Sequence, residues 1–154
     1  MIKSLKSNKT FDLKTKIVNT LMISGKKKTG EKVLLKFAKL LQKSTNKNFK
    51  SLVQLAIVNS TPTFKINEQA VKKGKRKSTK AVTSFILSDS LRIMKSLKFL
   101  KEVASKNRGS VDFYQSFAKE VLSSSFYKSQ SVDKKNELQK QVLVNKRYLS
   151  QFRW

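Results

Sequence analysis

The sequence predicts a mainly α-helical single domain, a bundle of about six helices with one protruding β-hairpin between the third and fourth helices. Apolar residues recur at intervals of three and four over most of the chain, which is typical of amphipathic helices. Between about residues 61 and 87 the period changes to two, and two such runs flank a Gly-containing turn, which is typical of a β-hairpin. A chain of 154 residues is most simply one domain with a single core.

Three helices are predicted before the hairpin. The first begins at Asp12 and ends at Gly25, and residues 26–28 form the loop that follows. The second begins near Thr29. The third stops before Pro62, the only proline, because proline biases the preceding residue away from helix. The apolar stripes expected inside are Leu13, Ile17, Val18, Leu21 and Met22 in the first helix, Val33, Leu34, Phe37, Ala38, Leu40 and Leu41 in the second, and Phe49, Leu52, Val53, Ala56 and Ile57 in the third.

The hairpin is predicted from two runs of alternating residues. In the first run Phe64, Ile66, Glu68 and Ala70 alternate with polar neighbours. In the second run Ala81, Thr83, Phe85 and Leu87 alternate with Lys80, Val82, Ser84 and Ile86. The tip between the runs, residues 72–77, contains five cations. They are Lys72, Lys73, Lys75, Arg76 and Lys77. We expect the tip to project from the body and to contact phosphates, mainly without sequence preference.

Three further helices are predicted after the hairpin. The fourth begins at Asp89 and closes at residues 108–109, and the fifth begins at residues 110–112. The sixth begins at about Ser131. The residues expected to face inward are Leu91, Met94, Leu97, Leu100, Val103 and Ala104 in the fourth helix, Phe113, Phe117, Val121 and Leu122 in the fifth, and Leu138, Val142, Leu149 and Phe152 in the sixth.

The charge balance is the strongest compositional signal. Thirty-five Lys and Arg residues stand against nine Asp and Glu residues, a formal net charge of +26. Self-repulsion on this scale destabilises a compact chain unless a polyanion neutralises it, so the partner is a nucleic acid or an anionic membrane surface. No apolar run approaches the ~20 residues of a membrane helix. Surface binding would need a lipid-sized apolar face outside the core, and every stripe here is required inside.

The residue types argue against catalysis. Histidine and cysteine are absent, which removes the common general base, the thiol nucleophile and the usual zinc ligands. No phosphate-binding glycine loop or nucleophile elbow occurs. Five carboxylates are expected in the first turns of helices, where they complement the helix dipole: Asp12, Glu31, Asp89, Asp112 and Asp133. We therefore predict no enzymatic activity, no cofactor and no metal site.

Further cations and aromatic residues are candidates for RNA contact, against the alternative of an ordinary solvated surface. Residues 1–12 are predicted to form a flexible basic arm with Lys3, Lys6 and Lys9. Lys26, Lys27 and Lys28 precede a helix N-terminus, whose N–H groups also suit phosphate. Arg92, Lys95 and Lys98 are spaced by three and are expected to share one helix face. Five aromatic residues could stack on bases: Phe113, Tyr114, Phe117, Phe126 and Tyr127. For Phe113 and Phe117 the helical spacing favours core packing over stacking.

Three motifs carry a resemblance to a known family. They are the first helix and its basic turn, residues 17–27 (IVNTLMISGKK), the approach to the hairpin, residues 56–62 (AIVNSTP), and the C-terminal segment, residues 145–154 (NKRYLSQFRW). With these motifs the chain from about Leu13 to its last residue, the predicted domain 13–154, resembles the small-subunit ribosomal protein seven family of bacteria and organelles.

The resemblance implies a primary rRNA-binding protein that organises the head domain of small-subunit rRNA. It also implies a position near the exit-site tRNA and the mRNA exit, beside neighbouring small-subunit proteins that include protein eleven. Lys26 and Lys27 match the basic turn of the family. Arg92 matches one member of an arginine pair whose other position is Leu91 here, and Lys98 replaces an arginine. The C-terminal motif adds four expected RNA contacts: Lys146, Arg147, Arg153 and Trp154.

Composition also bears on location and on the rival function. Thirty lysines against five arginines, with no import segment before the domain, favour an organelle-encoded mitochondrial protein. A plastid or a bacterial cytoplasm is the alternative location.

The rival function is a nonspecific histone-like or helix-turn-helix nucleic-acid binder. It explains the charge and the helices but neither the hairpin nor the terminal Phe-Arg-Trp.

Overall fold

The computed structural model describes residues 12–45, 48–73, 76–107 and 109–145, and the side chains of residues 68–81 lie outside this description. The described residues form six helices and one antiparallel pair of strands. These elements are α1 (Leu13–Leu21), α2 (Lys27–Ser44), α3 (Phe49–Ser60), β1 (Phe64–Lys73), β2 (Arg76–Phe85), α4 (Asp89–Lys106), α5 (Phe113–Ser125) and α6 (Gln130–Val144). The predicted helical bundle with a hairpin between its third and fourth helices is confirmed.

Helix α5 lies at the centre of the bundle and packs against α2, α3, α4 and α6. The ring of Phe117 lies 4.9 Å from that of Phe37 and 5.7 Å from that of Phe113, and Phe37 meets Phe49 edge-on at 5.3 Å. Such aromatic pairs stabilise a core beyond the area that they bury. The core packing predicted for Phe113 and Phe117 is confirmed, with Phe117 buried and Phe113 partly buried against the same cluster.

The connection between α1 and α2 differs from the prediction. Helix α1 ends at Leu21, four residues before Gly25, and α2 begins at Lys27. Ser24 and Gly25 both adopt left-handed backbone conformations, with φ of 52° and 74°, so the chain turns sharply there. Because this turn is complete by residue 26, Lys27 and Lys28 are helical and not part of a loop. Glu31 consequently lies beyond the first turn of α2, and its predicted place in that turn is wrong.

Gly30 allows α1 and α2 to approach closely. A Cβ atom at this position would lie 3.3 Å from the main-chain oxygen of Val18 and 3.6 Å from the nitrogen of Met22. Gly30→Val should therefore push the two helices apart and lower the free energy of unfolding by about 2 kcal/mol, the usual effect of overpacking. Urea denaturation in moderate salt measures this change. Gly30→Ala adds only the Cβ and gains helix propensity, so a loss as large as that of the valine variant would contradict the steric explanation.

Helix α4 turns a different face to the core than its apolar residues predict. The residues buried as predicted are Leu97, Leu100, Val103 and Ala104. Leu91 and Met94, however, are 52% and 37% exposed, while Ser96 is fully buried. The hydroxyl of Ser96 lies 2.7 Å from that of Ser60 and donates to the carbonyl of Ile57 at 3.2 Å. These bonds fix Ser96 against α3, so the predicted inward placement of Leu91 and Met94 is wrong.

The hairpin has two ten-residue strands, each about 30 Å long at the usual rise per residue. The register runs from Phe64 opposite Phe85 to Lys73 opposite Arg76, and the two phenylalanine rings are 4.6 Å apart. The predicted pairing of the two runs into one hairpin is confirmed by this register. Leu87 departs from it, because β2 ends at Phe85 and leaves Leu87 92% exposed.

The base of the hairpin is attached to the helices on two sides. The N–H of Ile86 donates to the carbonyl of Thr63 at 3.0 Å, and Ile86 is buried. Thr83 is also buried, and its hydroxyl donates to the carbonyl of Asn145 at the end of α6 at 3.5 Å. Through these contacts the bundle fixes the direction in which the hairpin leaves it.

Helix α6 begins at Gln130, one residue earlier than predicted. The Ser129 side chain accepts the N–H of Val132 and caps the helix. Val142 is buried as expected, and Leu138 is partly buried. The predicted inward residues Leu149 and Phe152 lie outside the described residues.

Candidate nucleic-acid interface

The start of α2 brings three exposed lysines to a helix N-terminus. Lys26 occupies the N-cap position, and Lys27 and Lys28 are the first two helical residues. The N–H of Lys27 donates to the carbonyl of Gly25 at 2.8 Å, but no side chain caps this end. The N–H groups of Lys28 and Thr29 and the positive end of the helix dipole therefore face outward with the lysines. None of these three lysines forms an ion pair with a described carboxylate. A phosphate of a nucleic acid would satisfy both the lysines and the N–H groups.

The three α4 cations predicted to share a face have two different roles. The Nε of Arg92 donates to the carbonyl of Ile86 at 2.8 Å, and its guanidinium lies 3.7 Å from the carboxylate of Asp89. Arg92 thus ties the start of α4 to the end of the hairpin. Lys95 and Lys98 are exposed, lie one turn apart and flank the hairpin base. The predicted common face therefore holds for the two lysines, and Arg92 is partly used by the fold.

Other lysines stabilise the bundle, and the sequence did not reveal them. The Nζ of Lys101 donates to the carbonyl of Thr20 near the end of α1, and the Nζ of Lys135 donates to the carbonyl of Asn59 near the end of α3, each at 2.7 Å. Carbonyls at helix C-termini lack intrahelical partners, so these contacts are stabilising. Their partners lie 81 and 76 residues away in the chain, and no local pattern links them.

Several carboxylates are engaged in the same way. The side chain of Asp12 caps α1 by accepting the N–H of Lys14 at 3.1 Å, as predicted, and the hydroxyl of Thr15 holds the pKa of Asp12 below its ordinary value. Glu120 is buried and accepts both the N–H and the hydroxyl of Ser131, at 3.2 and 2.7 Å, which fastens the start of α6 to α5. No local sequence pattern indicates this role for Glu120. Acids used in this way leave the exposed lysines with few internal counter-charges.

Glu102 is the centre of a small ion-pair network. The Nζ of Lys134 lies 2.6 Å from its carboxylate and that of Lys106 lies 3.5 Å away. The hydrogen bond from Lys134 is the main reason that the pKa of Glu102 lies below its ordinary value. The network links α4 to α6 across the surface of the bundle.

Glu102→Gln should lower the free energy of unfolding by about 0.5 kcal/mol at pH 7, since the side chain is half exposed and solvent screens the ion pairs. A lowered folded-state pKa means that the carboxylate stabilises the fold above its unfolded-state pKa of about 4.3. That stabilisation is lost as the pH falls through the folded-state pKa. Urea denaturation at constant ionic strength should thus show the variant and wild-type curves converging near pH 3. Glu137→Gln is the control, and a deficit for Glu102→Gln that is the same at every pH would contradict the ion-pair explanation.

The last two residue pairs of the hairpin, next to its turn, place cation opposite cation. In the backbone register Lys72 lies opposite Lys77 and Lys73 lies opposite Arg76. The two strands therefore extend further into the predicted tip than expected and leave only residues 74–75 between them, which are outside the described residues. Like charges directly opposite each other destabilise a strand pair, so this end of the hairpin favours an anionic partner.

Comparison with known proteins identifies a family. The profile of the family described as "Ribosomal protein S7p/S5e" matches residues 2–146. The chain belongs to this family. It is 27% identical over 155 residues to the small ribosomal subunit protein uS7 of Mycoplasma mobile, covering 99% of this chain and 95% of that protein. It is also 27% identical over 143 residues to the proteins of the same name from Aliivibrio salmonicida and Colwellia psychrerythraea, covering 93% of this chain and 87% of each relative.

Membership in the S7p/S5e family confirms the family predicted from the three motifs. It also confirms the predicted structural, non-enzymatic class. The match begins at residue 2 and ends at residue 146. It therefore includes nearly all of the segment predicted as a basic arm, and of the C-terminal motif it includes only Asn145 and Lys146.

Several RNA contacts predicted for this S7p/S5e family member lie outside the described residues. They are Lys3, Lys6 and Lys9 in the N-terminal segment, Lys75 in the hairpin turn, and Lys146, Arg147, Arg153 and Trp154 at the C-terminus. The strand cations Lys72, Lys73, Arg76 and Lys77 are placed by their backbone register alone. The structure places Lys26, Lys27, Lys28, Lys95 and Lys98 at the surface.

The remaining candidate aromatic residues lie on or near the surface. Tyr114 is partly buried, and the Nζ of Lys36 lies 5.4 Å from its ring centre. Phe126 and Tyr127 are 61% and 60% exposed at the end of α5, where the Nζ of Lys135 lies 5.5 Å from the ring centre of Tyr127. These contacts satisfy the cation–π geometry. Tyr114 packs against the core cluster as Phe113 does, whereas Phe126 and Tyr127 are exposed.

The described part of the chain contains neither a membrane-spanning helix nor a cluster of metal-ligating side chains. No described helix is both long enough and apolar enough to cross a membrane. No group of three or more metal-ligating side chains occurs among those residues.

Proposed function

We propose that the chain is a structural constituent of the small ribosomal subunit and a primary binding protein of its rRNA. The observation that carries this proposal is the family match over residues 2–146 together with the uS7 relatives, whose names place them in the small ribosomal subunit. The net charge of +26 agrees with a polyanionic partner. Binding is driven largely by release of counterions from the phosphates.

The proposed RNA-binding surface combines the basic arm 1–12, the α2 N-terminus, the hairpin, the exposed face of α4 and the C-terminal motif. Within the proposed domain, residues 13–154, the described bundle holds the α2 N-terminus, the hairpin base and the exposed face of α4 in one arrangement. Lys95 and Lys98 lie beside the hairpin base, so α4 and the hairpin present charge on the same side of their junction. The proposed target is the head domain of small-subunit rRNA. Exit-site tRNA, the mRNA exit path and ribosomal protein eleven are the proposed neighbours.

Crosslinking in cells followed by RNA sequencing tests this function. Crosslinks confined to the head of small-subunit rRNA are the expected result. Crosslinks scattered over unrelated RNA or DNA would instead favour the rival, a nonspecific histone-like or helix-turn-helix binder. Isolating the small subunit and detecting the protein in it by mass spectrometry provides an independent check.

The proposed location is a mitochondrial ribosome, with a plastid or a bacterial cytoplasm as the alternative. It is supported by the excess of lysine, thirty residues against five arginines, which suits an AT-rich genome. Sequencing purified mitochondrial DNA from the source organism should recover the gene. Finding the gene only on a nuclear, plastid or bacterial chromosome would reject an organelle-encoded mitochondrial protein.

A further inference from the structure

A small cleft lies between the base of the hairpin and the outer face of α4. Its volume is about 180 Å³. It is lined by Lys65, Ile86, Leu91, Met94, Lys95 and Lys98. We call it the hairpin-base cleft. Its residues come from β1, from the segment after β2 and from the first half of α4, so the junction of the hairpin with the bundle determines its shape.

The floor of the hairpin-base cleft is apolar and only partly covered. Ile86 is buried beneath it, whereas Leu91 and Met94 are 52% and 37% exposed. The core does not use these two side chains, because Ser96 and Leu97 occupy the buried face of α4. Isolated exposed apolar residues are ordinary. Here, however, Leu91 and Met94 lie together on one face of α4 and adjoin the buried side chain of Ile86.

The rim of the hairpin-base cleft is cationic. Lys65 borders it from the hairpin, and Lys95 and Lys98 border it from α4. Among the described side chains, those that line the cleft include no carboxylate, and none of the three lysines takes part in an ion pair with a described residue. The two acids of α4 pair with other cations: Asp89 lies 3.7 Å from Arg92, and Glu102 pairs with Lys106 and Lys134. The cleft therefore suits a ligand with an apolar face and negative charge on either side.

We propose that the hairpin-base cleft receives a single unpaired nucleobase of the bound RNA. A base presents a flat apolar face to Leu91 and Met94, and its own and neighbouring phosphates lie within reach of the three lysines. Unstacked bases are the parts of RNA that proteins recognise individually, because side chains cannot enter the deep major groove of an RNA duplex. The cleft is too small for a helix and is open to solvent. This inference rests on the proposed rRNA binding and adds the kind of nucleotide that the site takes.

The test uses the full chain bound to small-subunit rRNA purified from the source cells. The double variant Leu91→Ser with Met94→Ser removes the apolar floor, and the exposure of both residues leaves the core intact. The matched control is Leu55→Ser with Val58→Ser, which alters two exposed apolar residues on α3. Backbone cleavage by hydroxyl radicals reports phosphate contacts, and reagents that modify the pairing edges of all four bases report base contacts.

We expect at least one unpaired base to be protected by the wild type and by the control, and to become reactive with the floor variant. The floor variant should bind on the order of tenfold more weakly, with an unchanged salt slope because no phosphate contact is lost. Identical base protection and affinity for the floor variant and wild type would overturn the inference and point to a protein partner for the apolar patch. A complete lack of a backbone footprint with the wild type would overturn the proposed rRNA binding itself.

Discussion

Replacing the five hairpin cations with glutamine should weaken binding to small-subunit rRNA by at least about a hundredfold at 50 mM salt and flatten the salt dependence. The substituted residues are Lys72, Lys73, Lys75, Arg76 and Lys77. Each phosphate contact that is lost reduces the slope of log K against log salt by about 0.7 to 0.9, so the slope should become shallower by up to about 4. Filter binding or fluorescence anisotropy measures both quantities over roughly 50–400 mM salt. Across this range the Debye length shortens by a factor of about three, so screening changes strongly.

A control with the same change in net charge separates the position of the cations from their number. Lys39, Lys43, Lys50, Lys119 and Lys140 are exposed, and replacing these five with glutamine also removes five positive charges. The control should change the slope much less than the hairpin variant. Equal slopes for the two variants would mean that the hairpin is not a preferred RNA contact.

The hairpin variant should also fold at least as well as the wild type. In the backbone register Lys72 opposes Lys77 and Lys73 opposes Arg76, and glutamine removes both like-charge pairs. A modest rise in the free energy of unfolding together with weaker RNA binding would indicate that these cations serve the partner and not the fold. A large fall in stability would mean that the binding defect has a structural origin.

The sequence predicted the elements of the fold because their periodicities are long and distinct. Pro62 and the alternating runs on either side of residues 74–75 marked the hairpin, and the strands Phe64–Lys73 and Arg76–Phe85 lie inside the predicted range. The errors occurred where a tertiary contact decided between two local patterns. In α4, Leu91 and Met94 continue the apolar stripe of Leu97 and Leu100 as well as Ile93 does. The Ser60–Ser96 hydrogen bond fixes the rotation of α4 that buries the polar Ser96 and partly buries Ile93.

The candidate site was predicted less completely, because the sequence shows where lysines are but not which of them the fold uses. Arg92, Lys101 and Lys135 donate to main-chain carbonyls of distant or neighbouring segments. Lys95 and Lys98 differ from these only in facing solvent beside the hairpin base. The packing of α4 on α1 and α3 decides which of its cations contact the fold and which face solvent, and no local pattern specifies that packing.

Asn59 is the polar residue whose substitution should affect the fold most. It is buried at the end of α3, just before the chain enters the hairpin. Its side-chain nitrogen donates to the main-chain carbonyls of Ser124 and Ser125 at 2.9 and 3.2 Å. The main-chain carbonyl of Asn59 accepts a hydrogen bond from the Nζ of Lys135 at 2.7 Å. One residue thereby joins α3, the end of α5 and α6.

Asn59→Ala should lower the free energy of unfolding by about 2 kcal/mol, because two buried carbonyls lose their donor. Asn59→Asp keeps the shape but aims oxygen atoms at the same carbonyls and buries an unpaired charge, so it should cost about 3–5 kcal/mol at pH 7. Denaturation in urea at moderate salt measures both variants. Protonation of the new carboxylate removes the charge and restores one donor, so the deficit of Asn59→Asp should shrink between pH 7 and pH 4.5. If the aspartate variant were as stable as the alanine variant at pH 7, the side-chain hydrogen bonds from Asn59 would not be what joins α3 to the end of α5.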